Sequence, residues 1–393
     1  MKVVITGGGI GGLTAALCFH KFGWDVTICE QAAELGEIGA GIQISPNGMK
    51  VLRALGIDKP VEAAGFRPRA NQFRMGETGQ PIFTASTADY EETFGAPYLH
   101  IHRADLIEAL QVAIGERMPG AIKTGAAVKG YGQNKEEAWA VLADGSRVTG
   151  DIVVGADGIR SAIRTQMIGP DEPSFTGNVA WRAVVPIEKL GRDAPLPVSS
   201  VWFGEGKHAV TYLLRGGKLA NFVGVVERDD WTNESWTEQG SCEDVLADFA
   251  GWHPTITTLL EQADAHYRWA LFDRAPLDQW TDGRVALLGD ACHPMLPFMA
   301  QGAVQAIEDG YVLARCLAEQ DDHRSALIDY FETRRDRTAR VQAAARANME
   351  LFHQRTARGK LKTYGPMWLA SKIKPDLATQ RLAWLYGHDV TAV

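Results

Sequence analysis

Nothing in the 393 residues offers a helical route across a bilayer, because every apolar stretch is broken by glycine or charge well short of the ~20 residues a span requires. Cysteine is scarce. The five are Cys18, Cys29, Cys242, Cys292 and Cys316, an odd number without a C-x-x-C pair, which argues against a disulfide scaffold, a zinc site or a dithiol redox couple. No metal is expected. Positive charge is not in excess: 40 Lys and Arg stand against 48 Asp and Glu, a net charge of -8, which disfavours nucleic acid or an anionic membrane as the main partner. Internal repeats and low-complexity segments are also absent. Lys2 before an apolar run imitates a signal peptide, but the glycines and the acid that follow explain the segment better, so a soluble, unexported, cytoplasmic protein is expected. The basic cluster Arg334, Arg335, Arg337 and Arg340 is expected to be the solvated face of a long C-terminal helix.

Glycine, by contrast, is abundant and placed. KVVIT runs directly into GGGIGGLTAALCFHKFGWDVTICE: a β-branched strand, a glycine turn, a helical stretch, a second apolar run and a terminal acid. Gly7, Gly9 and Gly12 match G-x-G-x-x-G, in which the first permits a tight turn, the second lets backbone approach a pyrophosphate, and the third allows close helix-to-strand packing. The helix N-terminus that follows suits an anion. Glu30 closes the run Val26 to Cys29, where a carboxylate can accept hydrogen bonds from ribose hydroxyls. A dinucleotide is implied, though not which one.

At the usual ~100 to 200 residues per domain, the length allows two or three domains. The expected fold class is α/β: a Rossmann-like dinucleotide-binding domain assembled from 1–72, 97–178 and 273–325, an inserted, mostly β domain from 73–96 and 179–272, and a helical region at 326–393. GEGK at 204–207 and RGG at 215–217 read as turns of a meander with strands at Val198–Phe203, His208–Leu214 and Leu219–Val226. Asn47 is expected to cap a helix running to Leu55. GADGIRSAIR at 155–164 and LLGDACHPMLPFMAQGAVQAIED at 287–309 are two further strand-to-helix junctions that carry an acid, Asp157 and Asp290.

Taken together, GGGIGG with Glu30, GADG at 155–158 and LLGDACHP at 287–294 resemble the flavin-dependent aromatic hydroxylases of the para-hydroxybenzoate hydroxylase type. Within that group the chain resembles the branch containing salicylate hydroxylase, 3-hydroxybenzoate 6-hydroxylase and 6-hydroxynicotinate 3-monooxygenase. GAGIQISPN at 39–47, HRADL at 102–106, the H-x-x-x-Y beginning at His208, MAQGAVQAIEDG at 299–310 and WLYGHD at 384–389 carry the likeness. It implies FAD held non-covalently in a glutathione-reductase-type domain. Glu30 and the adjacent Gln31 would lie at the adenosine end and Arg103 near the pyrophosphate or ribityl chain; Asp157 would serve FAD and the nicotinamide cofactor, Asp290 the ribityl chain, with Gly302 and Ala303 at the flavin ring.

The reaction implied is hydroxylation of an aromatic or N-heteroaromatic phenolic acid with NADH (NADPH being possible) and O2, through a flavin C4a-hydroperoxide, with or without decarboxylation. The alternative is a flavin dehydrogenase or reductase without productive oxygen transfer. His208 and Tyr212 are the catalytic candidates, since positions i and i+4 of a strand share a face. Gln43, Trp181, Met295, Pro297 and Phe298 are expected to line the substrate pocket. Departures from relatives bear on the substrate. The 6-hydroxynicotinate enzyme has histidines at the places of Gln43 and Phe298, and the 3-hydroxybenzoate enzyme has a glutamine at that of Pro297. The expected wall is therefore apolar and aromatic. Partners reduce to the aromatic substrate, O2 and NAD(P)H, with the chain a monomer or homodimer.

Overall fold

The computed structural model describes residues 1–36, 40–170, 172–228, 230, 238–374 and 377–392. The β-branched opening Lys2–Thr6 becomes the middle of a six-stranded sheet in the order Thr281–Asp282, Val285–Leu287, Ile152–Gly155, Lys2–Thr6, Asp25–Cys29, Ile122–Lys123. All its pairs are parallel except the first. Parallel strands are covered on both faces, and Val3, Val4 and Ile5 are accordingly fully buried in succession without polar alternation. The helix Ile10–Lys21, flanked by Arg103–Arg117 and Gly302–Glu319, covers one face, and the antiparallel strands Val128–Gln133, Ala138–Leu142 and Arg147–Gly150 cover the other.

A second sheet of eight strands runs in the order Gln239–Gly240, His266–Asp273, Ser174–Pro186, Leu219–Glu227, Lys207–Leu214, Ser199–Gly204, Ala70–Met75, Pro81–Ser86. Its central meander occupies the stretches that the turn residues at 204–207 and 215–217 delimit. Strand alternation gives this sheet two different faces. On one, Trp181, Ala183, Ala209 and Phe222 pack under the helices Cys242–Asp248 and Pro254–Glu261. On the other, Ala180, Val225, His208 and Phe203 form a cross-strand row against Leu296, Phe298 and Phe352. The two-stranded ribbon Gly41–Ile44 with Leu99–His102 bridges from the dinucleotide side to this second face.

The long helix His323–Phe352 has 30 residues, ~45 Å at 1.5 Å per residue, enough to pass from one sheet to the other. It is not the solvated basic element its composition suggests. Arg335 is half exposed, but Arg334 is fully buried between Glu308 and Asp309, Arg337 reaches Glu308, and Arg340 stacks 3.8 Å from the Trp384 ring centroid. A charge run cannot reveal that its partners come from another helix. Among the described residues no helix is long and apolar enough to cross a membrane.

Removing Arg334 strands two buried carboxylates, a change that typically costs ~3–5 kcal/mol. Arg334→Met is expected to lower the thermal midpoint sharply or to prevent soluble expression, whereas Arg335→Met stays within ~0.5 kcal/mol of the parent. Equal melting curves for the two variants would show that the buried pair does not hold the fold.

Candidate functional site

The glycine turn is built as its spacing predicts. Gly7 has φ +102°, and its N–H donates to the Cys29 carbonyl at 2.8 Å. A Cβ on Gly12 would stand 2.0 Å from the Gly7 carbonyl oxygen, so the helix Ile10–Lys21 can start against the strand only with glycine there. At Gly9 a Cβ would meet nothing within 4 Å. It would project into open space, the place a pyrophosphate needs for close approach to backbone. The helix has no side-chain cap and no acid in its first turn, so its N–H groups remain available to an anion.

A groove of about 510 Å³ begins here, lined by Gly7, Gly9, Glu30, Gln31, Asp157 and Arg160 among others. Glu30 Oε2 accepts the Gly8 N–H at 2.6 Å and Oε1 that of Ala32 at 2.8 Å, which aligns the carboxylate and leaves lone pairs for hydroxyls. Asp157 spends much of its capacity locally. It accepts from Ser161 Oγ at 2.6 Å and from the N–H groups of Ala162 and Ile163 at 2.8 and 3.2 Å, fastening the start of the helix Ala162–Ile168 to the floor of the groove.

A second cluster lies at the N-terminus of the helix Gly302–Glu319. A Cβ on Gly302 would come 3.8 Å from Met295 and 3.9 Å from Asp290 Oδ1, which brings three residues of the predicted site together. Asp290 is exposed, with surrounding protein close by. That surrounding protein pushes its carboxyl up, while His293 and Arg103 pull it down, so Arg103 shares its neighbourhood. Ala300, two residues before this helix, adopts φ +50°, a left-handed conformation unusual for a non-glycine residue. The arrangement of uncapped helix, glycine and acid can hold the ribityl chain and ring of FAD, with helix-end amides facing an electron-rich ring. Ala303, one residue further, is half-buried.

The third cluster faces the sheet. His208 and Tyr212 lie on the same face, as their spacing requires, and both are buried. A Cβ on Gly41 would stand 2.6 Å from the Tyr212 ring, and the Gly41 N–H donates to Asn221 Oδ1 at 2.8 Å, so the ribbon strand seats directly on Tyr212. The His208 ring is 5.2 Å from Phe298 and 5.0 Å from Phe352, centroid to centroid. Gln43 accepts from the Tyr98 hydroxyl at 2.5 Å and donates to Ser199 Oγ at 3.3 Å. Pro297 opens the short 3-10 turn Pro297–Met299 and is exposed.

Trp181 does not join them. It is fully buried on the opposite face, its indole N–H donating to Asp248 at 2.8 Å and its ring under Arg268. Alternation along Ser174–Pro186 places Ala180 and Arg182 on the pocket face instead, with Arg182 4.3 Å from the Trp269 ring centroid.

Sequence reasoning also missed the partners of His208. Its Nδ1 lies 2.7 Å from His353 Nε2; His353 Nδ1 lies 3.0 Å from Glu227 Oε1; and Glu227 pairs through Oε2 with Arg355. Burial, with His353 adding, holds the His208 imidazole well below its usual range. His353 is lowered by burial against the opposing pull of Glu227. Both rings are neutral at neutral pH. Buried His100, against the Tyr212 ring at 4.7 Å, is pushed down to about 3 by burial. The described residues Cys292, His293 and Asp309 also lie close together, with Asp309 already engaged by His293 and Arg334.

Two sheets joined by a ribbon, with a groove at the glycine turn and an uncapped helix beside Asp290, suit a flavin dinucleotide, and the comparisons agree. Residues 1–347 match the family described as FAD binding domain, and the chain belongs to it. It is 38% identical over 393 residues to 3-hydroxybenzoate 6-hydroxylase 1 of Aquipseudomonas alcaligenes, covering 99% of this chain and 98% of that one. It is 35% identical to 6-hydroxynicotinate 3-monooxygenase of Pseudomonas fluorescens, covering 99% and 95%. Klebsiella pneumoniae HpxO, solved with FAD and uric acid, superposes with a TM-score of 0.86 at 27% identity over 98% of this chain and 97% of that one. The protein is an FAD-dependent flavoprotein monooxygenase of the aromatic hydroxylase kind.

Gly9→Ala is expected to leave apoprotein stability unchanged and to weaken FAD binding about tenfold or more, the ~1–3 kcal/mol typical of overpacking a tight contact. Gly12→Ala, which collides with backbone, is expected to lower stability itself. Flavin titration and thermal melts separate the two, and unchanged FAD affinity in Gly9→Ala would place the pyrophosphate elsewhere. Acid should also act through the buried histidines. Their folded values lie below the unfolded ~6.5, so the stability they contribute is present above that pH and falls as pH drops below it, by up to ~1.4 kcal/mol per unit for each, until the folded value is passed, at about 3 for His100. His100→Phe should flatten the urea midpoint between pH 6 and 4.5; a slope equal to that of the parent refutes the assignment.

Proposed function

We propose that the chain hydroxylates a phenolic or hydroxylated N-heteroaromatic acid, using NADH and O2, with bound FAD supplying the oxygen-activating chemistry. The observation that carries this reading is the placement of neutral, buried His208 beside Phe298 on the face that the Asp290–Gly302 cluster approaches. An electron-rich ring is what oxygen transfer needs, and a base that takes the hydroxyl proton raises ring electron density. His208 is that base. Tyr212, two pleat repeats along the strand, orients the ring and closes the pocket where it packs on Gly41.

The walls limit the substrate. Val201, Val210 and Val223 form a flat apolar row, flanked by the Gln43, Tyr98 and Ser199 hydrogen-bond set. This suits one planar ring whose polar substituents are met by neutral donors. Water is kept from the ring by Phe298, Phe352 and Met299. Glu30 and Gln31 serve the adenosine end of FAD, Arg103 and Asp290 its middle, and Gly302 with Ala303 its ring. The nicotinamide cosubstrate binds transiently and needs no second glycine fold.

Purified holoenzyme should oxidise NADH faster in the presence of at least one member of a panel of hydroxybenzoates, aminohydroxybenzoates and hydroxynicotinates, with a product heavier by one oxygen or by one oxygen less a carboxylate. His208→Ala should retain FAD and lose ~10²–10⁴ in kcat/KM. Failure of every aromatic to stimulate turnover would remove the reading.

A further inference from the structure

The His208 contacts define more than a lone base. A carboxylate can only accept hydrogen bonds, so His353 Nδ1, 3.0 Å from Glu227 Oε1, carries its proton. With that ring neutral, His353 Nε2 is an acceptor. His208 Nδ1, 2.7 Å away, must therefore donate. The second nitrogen of neutral His208, Nε2, is left as a lone pair. Three buried or half-buried groups, contributed by the strand Lys207–Leu214, the residue just past the helix His323–Phe352 and the end of the strand Leu219–Glu227, thus impose one tautomer on the base.

We propose that His353 and Glu227 form a proton exit from the substrate hydroxyl to solvent, and that His353 is the positioning residue that sets the His208 tautomer. The proposal rests on the reading of His208 as the base. The O–H bond of the substrate breaks and an N–H bond forms at His208 Nε2. The proton on His208 Nδ1 passes to His353 Nε2, and that on His353 Nδ1 passes to Glu227 Oε1. Glu227, with its side chain 29% exposed and Arg355 on its other oxygen, releases the proton to water. Neither imidazole accumulates charge, which matches the burial of both rings. Reversal of the same transfers resets the chain when product leaves. Phe298, Phe352 and Phe203 surround the rings and keep water from short-circuiting the path.

The deciding measurement uses FAD-loaded protein labelled with ¹⁵N-histidine, with the His208 signals assigned by their loss in His208→Gln. His208 is expected to be neutral and protonated at Nδ1 in the parent protein, and to acquire the Nε2-protonated form in His353→Phe. A parent His208 protonated at Nε2, or a spectrum unchanged in His353→Phe, overturns the proposal without any substrate being needed. In stopped flow with a pH-indicator dye and 3-hydroxybenzoate, proton release should slow at least tenfold in both His353→Phe and Glu227→Gln at unchanged FAD content. Loss of release in His208→Gln, with both other variants at the parental rate, would sink the exit path and leave the base reading intact. Parental release in His208→Gln as well would sink the base reading itself.

Discussion

The structure depends on one fully buried cation. Arg334 sits between Glu308 and Asp309, its Nε 2.7 Å from Asp309 and its other nitrogens on Glu308 and Gln305. Charges so enclosed are costly unless every lone pair and proton is used. Here they are used in a specific way. Asp309 accepts the Gly289 N–H at 3.0 Å and the His293 ring, which anchors the loop carrying Asp290. Glu308 accepts from Asn47 at 2.6 Å and from Nε and Nη2 of Arg337, and Asn47 continues to Gln301 at the head of the helix. A single guanidinium thereby locks the loop carrying Asp290, the N-terminus of the helix Gly302–Glu319, and the long helix that runs on to His353. Site geometry follows from that lock.

The long helix then acts as a lever arm between two chemistries. Its middle holds the dinucleotide side together, and its end delivers Phe352 and His353 to the second sheet. Phe352 packs on Phe203 and His208, so His353 is presented to His208 by apolar packing rather than by a loop. Arg346, on the same helix, pairs with Asp273 at the end of an edge-side strand of that sheet. The two sheets are therefore registered to each other by contacts made at successive turns of one rigid element.

This division explains what could be read from the chain beforehand. The glycine turn, the meander and the shared face of His208 and Tyr212 are local: they depend on spacings of 2, 3 or 4 residues, and Glu30 follows from its place at the end of the next strand. The face of Trp181 was not legible, because either side of a two-face-buried strand is apolar and alternation alone does not say which side holds the ligand. The role of Arg334 was hidden by its neighbours Arg335 and Arg337, which made a charge run of it. His353 and Glu227 stand 126 positions apart in the sequence and have no motif. Only the fold brings them to His208.

Gln43 and Phe298, one neutral and one apolar, set the surroundings of His208. With Gln43 holding Tyr98 and Ser199, and the Phe298 ring tilted against His208, the proposed base sits in a largely apolar wall. A lone base in an apolar wall must lose its proton again before the next cycle, and a buried imidazolium would be costly there. The enclosure that makes His208 neutral and ready also makes it unable to store charge. A second neutral imidazole ending at a half-exposed carboxylate resolves that conflict, because it moves the proton out while leaving both rings uncharged. The apolar wall and the His208–His353–Glu227 chain are thus parts of one solution: the first excludes water from the ring, and the second supplies the connection to solvent that such exclusion removes.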